Sequence, residues 1–380
     1  MQLPFSNILP IDRLSQCFND TTNSYKFYWF LAILEAVTHS RENGNIVIEM
    51  KSLAAKMVSN VWYPLSYYKL SFGKQDGFKG IADEISSKMD IDNRPNSADL
   101  FKQIEGKLTT FEIEAINNKV LTLLDYAPYL FIRPFWQELL KGEKGYKVNE
   151  HIKQLANEAF ENNTHQTIYR FIGKKKEEKI EVDEKWVNYF KDNHGIIQGF
   201  IYWHLVRFLQ KHNPNVIGLS EKLFKPVERD LKRAKRFWRL YFSAHSSLQC
   251  IYSNTPIRSN ISIDHFLPWS YVAHDELWNL LPTFKKVNSS KGNCLPNLNQ
   301  YLGSFIHLQH KAFLTAYNSS MKEEDRKKLL EDYTFLFNKS IDQIAALPYT
   351  KFEQKIKDTL IPMHQIATNM GFSTNWTYQP

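Results

Sequence analysis

Cysteine is scarce in this chain. Its 380 residues hold three, Cys17, Cys250 and Cys294, with no CxxC pair. That excludes a disulfide framework and a complete cysteine zinc site, and it fits a reducing cytoplasm. Glycine and proline are also few, 14 and 15. With no Ser/Gly/Pro tract and no internal repeat, docked units on short connections are expected, not a flexible linker. The longest apolar run, "FYWFLAILEAV" at residues 27–37, is about half of a membrane span. The opening "MQLPFSNILPIDR" has no basic stretch followed by an apolar one, so neither secretion nor membrane insertion is expected. The absence of a Gly-rich phosphate loop argues against a Rossmann arrangement.

What is present is core material. Hydrophobic residues make up 43% and aromatic residues 14%, enough to exclude disorder for most of the chain. The length predicts two or three packed units. A formal net charge of +8 and a pI near 9.0 are compatible with polyanionic partners, although many basic proteins bind nothing acidic.

Residues 1–140 open with an apolar-rich helix, then "ENGN", a short strand "IVIEM" and a helical "KSLAAKMVS". Helix, turn, strand, helix admits a winged-helix-like or a generic α+β arrangement. The aromatic and proline punctuation of "DYAPYLFIRPFWQELL" places a boundary near residue 140. Residues 141–247 read as mainly helical. The charge run "GKKKEEKIEVDEKW" at 173–186 reads as a solvated hairpin or loop. A basic helix is expected at residues 225–239, where Val227, Leu231, Ala234 and Trp238 form one apolar stripe. Arg229, Lys232, Arg233 and Arg236 lie opposite, and the segment carries a local net charge of +5. An ordinary solvated helix and a grip on phosphates are both open readings. Residues 301–380 read as helices that pack on what precedes them. His307 and His310 suit packing and surface better than a metal.

Between them lies "ISIDHFLPWSYVAHDELWNLLPTFKKVNSSKGNCLP", residues 261–296. "ISIDHF" alternates like a strand ending at Asp264-His265, "ELWNLLP" reads as a second strand, and "KKVNSSKGN" as a helix starting after Pro282. That order places Asp264 and His265 on the first strand, Asn279 on the second and Asn288 on the helix. One carboxylate and one amide oxygen suit a single hard cation such as Mg²⁺, which keeps several waters and takes a substrate phosphate as a further ligand. A histidine beside the cation stays free to take a proton from water near neutral pH. Together these are the equipment of phosphodiester hydrolysis.

The spacing itself resembles a known family. Asp264-His265 is followed by Asn279 fourteen positions after the histidine, by Asn288 nine later, and by Lys291. This is similar to the HNH nuclease motif, the ββα-metal fold, in the version with asparagine in place of the last histidine. "DHFLPWS", "LWNLLP" and "NSSKGNCLP" agree in wording as well as spacing. The resemblance covers about residues 248–300 and implies an α+β, predominantly helical protein with an embedded ββα-metal module. It implies His265 as general base, Asp264 and Asn288 as ligands of one Mg²⁺ or Mn²⁺, and Asn279 as the residue that orients His265 through the loop. The products would be 5′-phosphate and 3′-hydroxyl ends. Lys285, Lys286 and Lys291 would face phosphate.

There is one departure from the family. Where many relatives carry two CxxC pairs around a structural zinc, this chain reads Cys250-x-x-Ser253 and Phe284-x-x-Val287. One thiolate cannot hold a tetrahedral zinc, so no structural zinc is expected and Phe284 and Val287 should plug its place. The implied activity is metal-dependent cleavage of DNA in bacterial restriction or antiphage defence, with a regulatory partner protein conceivable. Two alternatives stay open: a catalytically silent binding protein on the same scaffold, and an RNA nuclease.

Overall fold

The computed structural model describes the chain except for residues 1, 20, 89–98, 104–113, 144–145, 174–177, 225–228, 246 and 259–260. It is a predominantly helical α+β protein, as the sequence predicts. Two compact units divide it, residues 1–214 with 223–225 and residues 215–222 with 226–380.

The first unit forms around α1 (Tyr25–His39), whose apolar residues are spread around the whole helix, so that every residue from Phe27 to Leu34 is buried. Strand β1 (Ile46–Glu49) runs straight into α2 (Met50–Trp62). A hairpin of β2 (Tyr169–Ile172) and β3 (Lys179–Val182) completes an antiparallel sheet in which β3 is central. The register sets both Ile46 and Tyr169 opposite Val182. This pairing overturns the boundary near residue 140, because β1 and β3 from either side of it share one sheet. Among the described residues of 1–140, β1 is the one strand, and its partner lies outside that segment.

The charge run at 173–186 does hold a hairpin, but its second strand is no solvated loop. Ile180 and Val182 are fully buried, while Glu181 pairs with the Arg170 guanidinium at 2.6 Å and accepts from Asn45 at 2.9 Å.

In the second unit α3 (Lys232–Ala244) buries Ala234, Phe237, Trp238 and Tyr241. The expected basic helix at 225–239 therefore starts late. Residues 225–228 lie outside the described residues, 229–231 are not helical, and the Asp230 carboxylate accepts the amide of Lys232 at 3.0 Å. Two short hairpins follow, β4 (Leu248–Gln249) with β5 (Pro256–Ile257), then β6 (Ile261–His265) with β7 (Leu280–Phe284). Between the last two strands sits the short helix α4 (Trp269–Val272), and after β7 come α5 (Lys285–Lys291), α6 (Leu298–Tyr317) and α7 (Tyr349–Asn369).

One apolar core joins α3, the hairpins, α6 and α7. Phe266 stacks on Phe305 with ring centroids 4.2 Å apart, and each such fully buried ring contributes roughly 1.5–3 kcal/mol. Gln309 of α6, fully buried, donates to the carbonyls of Leu277 at 3.3 Å and Leu280 at 2.6 Å, fixing the start of β7. The C-terminal segment closes the unit through Leu295 N to Ser373 O at 2.7 Å and Trp376 N to Leu295 O at 3.0 Å. Among the described residues no helix is long and apolar enough to cross a membrane.

Candidate active site

The β6–β7 hairpin sets Asp264 opposite Leu281 and His265 opposite Leu280. Successive strand residues face opposite sides, so the two chemical groups leave β6 in different directions. Alternation in "ISIDH" nonetheless fails as a guide to exposure, because Ile263, Asp264 and His265 are all buried under α5 and the loop. Pro282 falls inside β7 opposite Ile263, and the helix begins at Lys285. A two-stranded sheet has only edges, where a missing N–H is tolerated.

Asp264 is 3% exposed. Its Oδ1 accepts from the Lys291 ammonium at 3.2 Å and its Oδ2 from the Tyr252 hydroxyl at 2.7 Å. Burial, then the charge of Asp264, pushes the Tyr252 phenol well above its ordinary value, so it remains a donor. Lys291 is itself buried and also donates to the His265 carbonyl at 2.6 Å. It thus holds the protein together where the family resemblance implied a contact to phosphate. The physical reason is that the buried Asp264 carboxylate needs a partner, and the long Lys291 side chain reaches back from α5 to supply it. Asn288 donates its amide nitrogen to Ser262 Oγ at 2.8 Å and Ile263 O at 3.2 Å, which leaves its Oδ1 without a hydrogen bond among the described residues.

His265 is 2% exposed. Its Nε2 lies 2.8 Å from Asp275 Oδ1, and its Nδ1 is buried with no partner among the described residues. Burial lowers the affinity of the ring for a second proton, the bond to Asp275 raises it, and the nearby charge of Arg229 lowers it. The net direction is down, so the ring is neutral at physiological pH. The Arg229 guanidinium lies over the Trp269 ring, 5.4 Å from its centroid.

Asn279 ends a tight 3-10 turn, Leu277–Asn279, just before β7. Fully buried, it accepts from Leu267 N at 2.8 Å and donates to Leu267 O at 2.9 Å. Its own carbonyl takes the amide of Phe266 at 2.8 Å. It clamps the chain immediately beyond His265 and touches backbone only, a positioning task.

The remaining expected residues divide. Lys285 and Lys286 are exposed on the first turn of α5. Arg233 is tied to Asp332 at 2.5 Å and Arg236 lies 3.8 Å from Asp325, whereas Lys232, 4.0 Å from Asp230, is 91% exposed. Asp275 is the residue that sequence reading passed over. The acidic pair in "HDELWN" is a signal for it, but an acid in a loop is ordinarily solvated.

The donor chemistry can be tested against a metal. Among the described residues no group of three or more His, Cys, Asp or Glu side chains is arranged to hold an ion. A cation here would have to rest on one carboxylate and an amide oxygen and keep open positions. Asp264 retains a lone pair on each oxygen and Asn288 presents a bare Oδ1, so the residues fit a hard divalent ion that brings its own waters. At the place of the family's zinc, Cys250 Sγ lies 3.2 Å from Thr283 Oγ1. Val287 is in the core and Phe284 packs on it half-buried.

Two antiparallel strands backed by a helix, with Asp-His at a strand end and Asn on the helix, define a ββα module of the nuclease kind. Residues 250–297 match the family model described as HNH endonuclease, and this segment is similar to an HNH module. No curated protein and no solved structure matches the chain. The class of activity to which the site points is therefore nuclease.

Proposed function

We propose that the chain is a metal-dependent DNA endonuclease. The observation that carries this reading is a buried imidazole with one nitrogen unpartnered among the described residues, next in sequence to a carboxylate that accepts one bond on each oxygen. His265 takes a proton from water as that water attacks phosphorus in line with the leaving 3′ oxygen, leaving 5′-phosphate and 3′-hydroxyl ends. Asp264 and Asn288 would hold Mg²⁺ or Mn²⁺, which when bound supplies charge neutralisation at the phosphate. Arg229, braced on Trp269, brings positive charge to the His265 side. Lys285 and Lys286 offer cations to the flanking backbone. Lys232 offers another from α3. The basic net charge of the whole chain supports a nucleic-acid substrate.

Three free thiols, two of them buried, support a cytoplasmic setting. There a role in restriction or antiphage defence, with a partner protein restraining the enzyme, suits a nuclease whose module selects the bond but hardly the sequence.

The test is incubation of the full chain with supercoiled plasmid and a matched RNA, with Mg²⁺ or Mn²⁺ and then with EDTA. Nicked or linear plasmid that requires the metal is expected. Cleavage of RNA alone would move the substrate to RNA. No cleavage of either, together with no binding of Mg²⁺ or Mn²⁺, would overturn the enzyme in favour of a silent binding scaffold.

A separate expectation concerns zinc. With Cys250 engaged inside the core, Ser253 at the second position and apolar Phe284 and Val287 at the other two, elemental analysis should find far less than one zinc per chain. A stoichiometric, chelator-resistant zinc would show that Cys294 or other donors complete a site.

A further inference from the structure

We propose that Asp275 fixes the tautomer of His265, making Nδ1 the nitrogen that accepts the proton; this rests on the nuclease reading above. A carboxylate only accepts hydrogen bonds, so at 2.8 Å from Nε2 the Asp275 Oδ1 requires the proton to sit on Nε2. A neutral ring has one such proton, and Nδ1 is left as a bare lone pair. That nitrogen is the one buried without a partner among the described residues. An unpaired buried acceptor costs roughly 1–3 kcal/mol, a penalty that a water held there for activation would relieve.

The segment carrying Asp275 is held so that this bond persists. The helix α4 ends at Ala273, whose left-handed φ of 57° turns the chain back. Asn279 N bonds to Glu276 O at 3.0 Å. Leu277 N bonds to Asp332 Oδ2 at 2.8 Å, and the same carboxylate is tied to Arg233. Asp275 is thus anchored on both sides by backbone geometry while its side chain stays 23% exposed. Its role is positioning, since it touches the base and not the reacting phosphate. When Nδ1 takes a proton from water the ring becomes an imidazolium, and the Asp275 charge on Nε2 offsets the new positive charge without itself being protonated.

The test is Asp275→Asn, read in two ways. On the intact protein, ¹⁵N shifts of the His265 ring should show Nε2 protonated and Nδ1 bare in the wild type, and a changed tautomer mixture in the variant. This measurement needs neither metal nor cleavage. In the cleavage assay the variant should lose kcat by about 100-fold at unchanged KM, with an unaltered melting curve. A wild-type ring protonated on Nδ1, or a variant with unchanged kcat, would overturn the proposal. A wild type that cuts nothing defeats the nuclease reading, and the ring shifts still decide the tautomer.

Discussion

Replacing His265 by alanine is expected to lower the rate of phosphodiester cleavage by about 10²–10⁴-fold, the range a general base ordinarily contributes. The measurement is a single-turnover nicking rate on supercoiled plasmid with protein in excess, so that loss of the chemical step is not confused with loss of binding. DNA affinity should hardly change, because the ring is 2% exposed and offers no surface to a duplex. Folding should survive as well. Asp275 loses its partner but remains partly solvated, and the Lys291 bond at this position runs to the His265 backbone carbonyl, which alanine keeps. An unchanged rate would place the base elsewhere. The neighbouring candidate, His274, is a weaker one: burial and the nearby His265 push it down to about 4, and its ring lies 5.4 Å from that of Trp278. So low a value leaves little driving force to remove a proton from water at neutral pH.

The parts of this site legible in the sequence are those fixed within a few dozen residues. Asp264-His265 at a strand end and Asn288 on a helix follow from local pattern and spacing. The parts not legible depend on partners far along the chain or on what covers a strand. Lys291 looks like a surface cation until Asp264, 27 positions earlier, is folded beneath it. Arg233 reads as one of several free cations, yet its partner Asp332 lies 99 positions on. The boundary near residue 140 failed for the same reason, since β1 and β3 are joined by ladder bonds that no local periodicity records. The local pattern puts Asn279 on a strand, and it sits in the turn before it, a shift of the size usual for element ends. From there it accepts from Leu267 N and donates to Leu267 O, partners that no local pattern records.

Substituting Lys291 by methionine should destabilise the second unit by about 3–5 kcal/mol, because removing one partner of a buried pair leaves the other charge without compensation. Here the ammonium is 1% exposed and the carboxylate 3%, so water cannot take over. Of the two donors to Asp264 only Tyr252 would remain, and the His265 carbonyl would lose its bond from Nζ as well. For a unit of this size each kcal/mol moves the midpoint by roughly 2–4 °C, so the melting transition should fall by about 10 °C. Had Lys291 faced a phosphate, the same variant would melt like the wild type and bind DNA more weakly, and that result would overturn the structural role. The double change Lys291→Met with Asp264→Leu should recover part of the loss, since no buried charge is then left alone. It follows that Asp264→Ala does not isolate metal binding. It strands the Lys291 ammonium at the same time, so lost activity would report on folding as much as on a ligand. Asn288→Ala is the cleaner probe. It removes the bare Oδ1 at the expense of two bonds at a half-buried position, which bounds the structural penalty near 1–3 kcal/mol. Weaker Mg²⁺ or Mn²⁺ binding in a variant that still melts within a few degrees of the wild type would then be a ligand effect.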